Sequence, residues 1–433
     1  MSEAPASTRR DFLKTSSAAG VAAASLTALS PSVYASGTDV LKVGLVGCGG
    51  RGTGAAVNAL NADPNLELVA VADAFKDRAE KSLQRLRAQS AIKDKIKVDS
   101  DHVFDGLEGY RHVIDSSDVV LLATPPGFRP QHLRAAVEAG RHIFTEKPMA
   151  TDPVGARSVF ESVEIFKQKN RAMVAGFCWR YDYQKKALFE RIHNGEIGDV
   201  RAVYGRYLTS PVKPMPEASK RPDGMSDLEW QVRNWYNFAW LSGDGLVEQA
   251  IHTVDWLGWT FQDKPPVSCT AVGGRQIPAE GGNIYDHVEV NYVWENDARA
   301  FLAQRQIPGC YNQTALSVLG TKGTGKLGRK SEICDLDGKS VWQYDGPRNN
   351  MYQTEHDEFF ASIRSGKHIN DGDRMASSTL MGIMGRMAGY TGQEITWDMA
   401  MNSKLSLVPD TADGWNSPAE PRPMARPGVT KFL

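Results

Sequence analysis

Between residues 41 and 176, short apolar runs alternate with stretches of helical spacing. The runs at 41–46, 66–72, 118–124, 141–144 and 172–176 read as strands, too uniformly apolar to keep one face wet. Helical patterns at about 54–62, 130–139 and 153–169 lie between them. This alternation predicts a doubly wound parallel sheet, an α/β fold. After about residue 200 the period becomes two. Segments 202–208 and 267–272 alternate, and 287–293 pairs with 298–304 around Glu295-Asn296-Asp297. A second sheet with one covered face follows. Residues 243–256 open on glycines and continue at helical spacing, and 355–363 read as an amphipathic helix with solvated acids. Pro418, Pro421, Pro423 and Pro427 exclude a helix from 411–433 and predict an extended arm.

A length of 433 residues fits two domains. The formal charge is −1, from 50 Lys+Arg against 51 Asp+Glu, so there is no broad basic surface for nucleic acid. No apolar run is long enough to span a bilayer. Five cysteines, at 48, 178, 269, 310 and 334, form no C-x-x-C, and no metal site is expected. Thr8-Arg9-Arg10-Asp11-Phe12-Leu13-Lys14 reads as a twin-arginine export signal, and Val33-Tyr34-Ala35 as its cleavage site. That reading makes 1–35 a removed signal peptide. It sends an already folded protein to the periplasm or beyond.

The chemistry begins between the first two strands. Gly47-Cys48-Gly49-Gly50-Arg51-Gly52 is a G-x-G-x-x-G, followed by a helix and a strand ending at Asp73. Gly47 permits the tight turn, Gly49 the approach of a pyrophosphate, and Gly52 the close packing of helix on strand. The diphosphate then meets free N–H groups at the helix N-terminus. Asp73 suits ribose hydroxyls and its charge repels a 2′-phosphate, so NAD is expected over NADP.

The glycine loop, Thr124-Pro125-Pro126, Glu146-Lys147-Pro148 and His252 together resemble the glucose–fructose oxidoreductase/inositol dehydrogenase (Gfo/Idh/MocA) family, over essentially the whole chain after the signal. The resemblance implies a Rossmann domain, placed at 36–170. It also implies a C-terminal α+β domain with an open, mostly antiparallel sheet, placed at 171–410, with the arm at 411–433. It puts Thr124, Pro125, Glu146 and Lys147 at the cofactor, with Lys147 on the substrate hydroxyl beside the nicotinamide. It puts Trp179, Arg180 and Tyr181 at the cofactor–substrate junction, and it implies a homo-oligomer, a dimer or tetramer through the C-terminal sheet. The family carries an Asp and a His four residues apart on one helix. Here the acid is Glu248, one methylene longer, with His252 on the same helix face.

Oxidising a secondary alcohol needs a hydride acceptor and a base for the O–H proton. His252 suits the base and Lys147 a developing alkoxide, while Glu248 orients His252 or binds a sugar hydroxyl. Asp255 either faces solvent or holds a neighbouring helix. Trp230, Trp235, Trp240, Trp256 and Trp259 crowd one stretch with Tyr236, which suits either a sugar-stacking surface or a core seam. On the first alternative Trp235 and Tyr236 bind substrate. The expected protein is therefore an exported NAD-dependent oxidoreductase acting on a sugar or glycoside. A redox-assisted glycosidase, resembling glycoside hydrolase family 109, is the first alternative. A non-catalytic sugar sensor is the second. Export to a compartment without free NAD implies a tightly held cofactor, with extended termini helping to cover the pyrophosphate loop.

Overall fold

The structure is a computed structural model that describes residues 39–277, 281–411 and 414–433. The export signal and its cleavage site lie outside the described residues. From Val40 to Leu433 the chain forms one unit built on two sheets. The first contains β1 (Leu41–Val46), β2 (Leu66–Asp73), β3 (Val103–Asp105), β4 (Val119–Leu122), β5 (His142–Thr145) and β6 (Met173–Ala175), ordered β3-β2-β1-β4-β5-β6. Every pairing is parallel. Helices on both faces bury β4 end to end, which is why its sequence is a plain apolar run. The order reverses between β1 and β4, and a ligand crevice opens at the carboxyl ends of strands at such a point. Because β6 closes this sheet, the domain boundary expected at 170 falls too early: the sheet needs the strand after it.

The second sheet holds β7 (Val200–Thr209), β8 (Ser268–Gly274), β9 (His287–Val293), β10 (Arg299–Gln306), β11 (Gln313–Gly320), β12 (Thr324–Leu327), β13 (Ser331–Cys334), β14 (Ser340–Gln343) and β15 (Ile395–Thr396). Its order is β14-β13-β12-β11-β7-β10-β9-β8-β15. Only β7 and β10 run parallel among these neighbours. The expected β9–β10 hairpin turns at Asp297, whose φ is +56°. One face lies under the helices Ile251–Thr260 and Gly372–Thr391, so close that a Cβ on Gly205 of β7 would strike the Thr253 side chain. Tyr204, Val272 and Leu319 stand exposed on the other face.

The helix Met351–Ser365 returns to the first sheet and packs on the glycine-loop helix Gly50–Ala62. Arg364 Nε reaches Asp63 at 2.7 Å there. The solvated-acid reading of 355–363 holds for Asp357, which is exposed, and fails for Glu355, which is wholly buried beside His356. From residue 414 the described part of the C-terminal arm has one short 3₁₀ turn, Gly414–Asn416, and otherwise neither helix nor strand. Its Trp415 ring stacks on Phe75, centroids 5.2 Å apart, and Gln231 Nε2 donates to Ala419 O.

Candidate active site

A cleft of about 430 Å³ starts at the glycine loop, passes the carboxyl ends of β4 and β5, and ends among residues of the second-sheet half of the chain. Its floor is set by sterics. Gly47 has φ +96°, and a Cβ there would lie 2.6 Å from the Ala123 carbonyl carbon. A Cβ on Gly52 would collide with the Gly47 carbonyl oxygen, whereas Gly49 and Gly50 face open space. The helix begins at Gly50, so its first N–H groups point at that space. Asp73 accepts N–H bonds from Cys48 at 2.8 Å and Phe75 at 3.1 Å. Burial pushes its carboxyl above the usual range, against those two bonds. The loop, the helix start and Asp73 fit a dinucleotide. Cys48, expected at the cofactor, does not line the cleft: its side chain is buried and its N–H is given to Asp73.

Glu146 and Lys147 follow β5. Arg51 leaves the glycine loop to pair with Glu146 and with Glu355, the latter at 2.8 Å. Burial pushes the Glu355 carboxyl up. Arg51 therefore ties the loop to the strand end that presents Lys147. Arg129, which the sequence reading missed, donates to the carbonyls of Pro148 and Thr124, and burial lowers its guanidinium to about 10. Its position just after a strand end was the available signal.

Lys147 Nζ donates to Glu248 O at 2.5 Å and to Glu248 Oε1 at 3.1 Å. The expected single helix through Glu248 and His252 is broken: Gly245–Glu248 and Ile251–Thr260 are separate. Asp244 begins the first piece at φ +126°, and its carboxylate accepts from Leu246 and Val247 N–H. Just before the break, Glu248 spends its carboxylate on Lys147 and on Gln249 Nε2, at 2.6 Å, rather than on His252. The orienting role expected of Glu248 toward His252 is thus corrected: Glu248 holds the lysine. His252 is instead held by packing, stacked on Trp179 at 4.6 Å with Phe177 edge-on at 6.2 Å. Both Glu248 and His252 line the cleft with Lys147.

Burial, with Lys147 and Arg51 nearby, pushes the His252 imidazole well below its ordinary value of 6.5. The neutral form, the one able to take a proton, therefore persists to lower pH. For a reaction using His252 as base, kcat/KM is expected to stay level as pH falls through about 6.5, with its acid limb below that value. A pH–rate profile checks this, and an acid limb at or above 6.5 would contradict it.

Gly47, Gly49, Gly50, Arg51, Gly52, Asp73, Thr124, Pro125, Glu146, Lys147, Trp179, Trp235, Glu248 and His252 all line the cleft. Three expected substrate residues do not. Arg180 is a buried clamp on Asp255 and Asp263, which makes Asp255 a holder of neighbouring elements. Tyr181 donates to Asp371 and Tyr236 to Gln306, both from buried positions. Trp235 sits with Gly49, Gly50 and Arg78 at the dinucleotide end, not the substrate end. Of the five crowded tryptophans it alone lines the cleft, so the crowd is mainly a core seam. The reading also missed Tyr207, Gln249 and Tyr352. Gln249, between two candidates in sequence, was within reach of it. Tyr207 and Tyr352 carried no signal. Among the described residues, no group of three or more His, Cys, Asp or Glu is placed to hold a metal ion. No described helix is long and apolar enough to cross a membrane.

Two family models match the chain. The oxidoreductase family, NAD-binding Rossmann fold model (GFO_IDH_MocA) matches residues 41–177. The GFO/IDH/MocA C-terminal domain model matches 186–326. A glycosyl hydrolase family 109 protein of Streptomyces coelicolor is 27% identical over 228 residues, 48% of this chain and 46% of that protein. This chain thus spans about half the length of that relative. An inositol 2-dehydrogenase of Rhizobium meliloti is 26% identical over 353 residues, 77% of this chain and 92% of that protein. The solved structure of levoglucosan dehydrogenase in complex with NADH aligns with a TM-score of 0.66 at 19% identity, over 83% of this chain and 99% of that one. At that identity the likeness is one of fold.

Proposed function

We propose, on the premise that this chain belongs to the Gfo/Idh/MocA oxidoreductase family, that it is an NAD-dependent enzyme oxidising a secondary alcohol of a sugar or glycoside to a ketone. The observation that carries this is the convergence of Lys147, Glu248 and His252 at the end of a cleft that begins on a dinucleotide loop. The names of the relatives, an inositol dehydrogenase among them, support the substrate class. NAD, when bound on Gly49, Gly50 and Asp73, supplies the acceptor for the hydride. Lys147 donates to the reacting oxygen and stabilises its developing charge. Neutral His252 takes the hydroxyl proton. Glu248 keeps the ammonium aimed. The buried Asp73 carboxylate favours NAD over NADP.

A second reading, a glycosidase that oxidises and then re-reduces its sugar, is favoured by the roof over the dinucleotide end. Val232 and Trp235 line the cleft there, and the arm braces Gln231 through Ala419 and Phe75 through Trp415. A roofed cofactor suits retention, and retention suits redox-neutral turnover. Export by the twin-arginine signal, with cofactor aboard, belongs to the same proposal, as does self-association through the face bearing Tyr204, Val272 and Leu319.

The test is purification without added cofactor, denaturation, and assay of the supernatant. Stoichiometric NAD(H), not NADP(H), is expected. A protein that arrives without cofactor and releases NADH each cycle would contradict retention. Incubation with glycosides then separates the readings: a keto-sugar with reduced cofactor marks the oxidoreductase, and a free sugar at unchanged redox state marks the glycosidase.

A further inference from the structure

We infer that the substrate is an uncharged polyhydroxylated ring rather than a uronate or a sugar phosphate, and that Gln249 and Tyr207 are positioning residues that enforce this. The inference rests on the oxidoreductase reading above and names its substrate class.

At the catalytic end of the cleft three cations, Arg51, Arg129 and Lys147, stand with three acids, Glu146, Glu248 and Glu355. Lys147 and Glu248 pair at 3.1 Å, with side chains only 9% and 10% exposed. Arg51 is shared by Glu146 and Glu355. Arg129 donates to two backbone carbonyls, makes no direct ion pair, and feels the charges of Glu146 and Glu248. A carboxylate or phosphate entering here would lose its water and find no excess of positive charge, and an unpaired buried charge is costly.

Gln249 and Tyr207 keep that match in place. Tyr207 OH donates to Gln249 Oε1 at 2.7 Å, and Gln249 Nε2 donates to Glu248 Oε2 at 2.6 Å. The chain ends on Lys147, so Glu248 is held at both oxygens and cannot swing away to free the ammonium. Burial and the Glu248 charge push the Tyr207 phenol up, so it stays a donor.

What remains unspent is the hydrogen-bonding set of a neutral polyol. Lys147 uses two of its three N–H groups, and Gln249 one of its two. The Tyr207 oxygen keeps its acceptor capacity, and the buried Nδ1 of His252 has no hydrogen-bond partner among the described residues. These donors and acceptors line one cleft, and a ring hydroxyl is both.

The experiment uses the full chain loaded with NAD and matched pairs of glucose with glucuronate and galactose with galacturonate, with glucose 6-phosphate added. The neutral member of a pair is expected to exceed its uronate by about tenfold or more in kcat/KM. In Glu248→Gln the Lys147 charge is unmatched, and the uronate-to-neutral ratio should rise by about tenfold. Gln249→Leu should raise it less, in the same direction. Competitive binding, read by tryptophan fluorescence, gives the same ratio if Glu248→Gln turns over too slowly. A wild-type preference for the uronate or phosphate, or a ratio unmoved in Glu248→Gln, would overturn the inference. Failure of every sugar to bind or to reduce the cofactor would instead bring down the oxidoreductase reading beneath it.

Discussion

Lys147→Ala and His252→Ala are each expected to lower kcat by about two to four orders of magnitude while leaving NAD affinity nearly unchanged. Lys147 Nζ lies with Glu248 at the far end of the cleft from Gly49 and Asp73, so its loss should spare the dinucleotide. His252 is buried against Trp179 and Phe177, so alanine leaves a hole as well as a missing base. His252→Gln, nearer in volume, separates the two effects. Stopped-flow reduction of bound NAD and a parallel NAD titration check both variants. A near-normal kcat in either would remove that residue from the chemistry.

Gly47→Ala is expected to abolish measurable NAD binding. A left-handed residue with a Cβ carries about 1–2 kcal/mol of strain, and φ at Gly47 is +96°. The added Cβ would also press on backbone atoms of Ala123 and Thr124, which cannot rotate away. Relief must come from moving the loop, and the loop is the pyrophosphate seat. Gly49→Ala is the contrast, since a Cβ there meets nothing within 4 Å of the protein and intrudes only on the ligand's space. It should weaken NAD while leaving the melting temperature in place, whereas Gly47→Ala should lower both. Isothermal titration and thermal unfolding read the difference, and an unchanged NAD affinity in Gly47→Ala would contradict this account of the loop.

What the sequence made legible was local. The glycine loop, Asp73 and the strand runs announce themselves because turn sterics and two-sided burial act over a few residues. Lys147 and His252 were singled out through motifs, and both line the cleft. Most of the misses are long-range. Arg180 looked like a site residue until Asp255 and Asp263 placed it in a clamp. Glu355 looked solvated because an amphipathic pattern says that a helix has a buried face, not that Arg51 waits there. The break after Glu248 lies in the backbone bonds, where Ala250 N–H reaches back to Gly245 O and Thr253 N–H to Ala250 O, and helical spacing does not reveal it. Strands β12 to β14 are four residues each, too short for a period to show. Trp235 was assigned to a sugar because aromatic crowding marks a surface or a seam without saying which end of a cleft it serves.

The central claim is that a substrate C–H carbon is held between this dinucleotide site and the Lys147–His252 pair. Its most direct test is a single turnover of the NAD-loaded protein with its sugar substrate deuterated at the ring carbons, followed by mass spectrometry of the extracted cofactor. The account predicts that the cofactor gains one deuterium in the wild type, and that it gains none in His252→Ala over the same interval. A wild-type protein that binds NAD and sugar together yet leaves the cofactor unlabelled would contradict it.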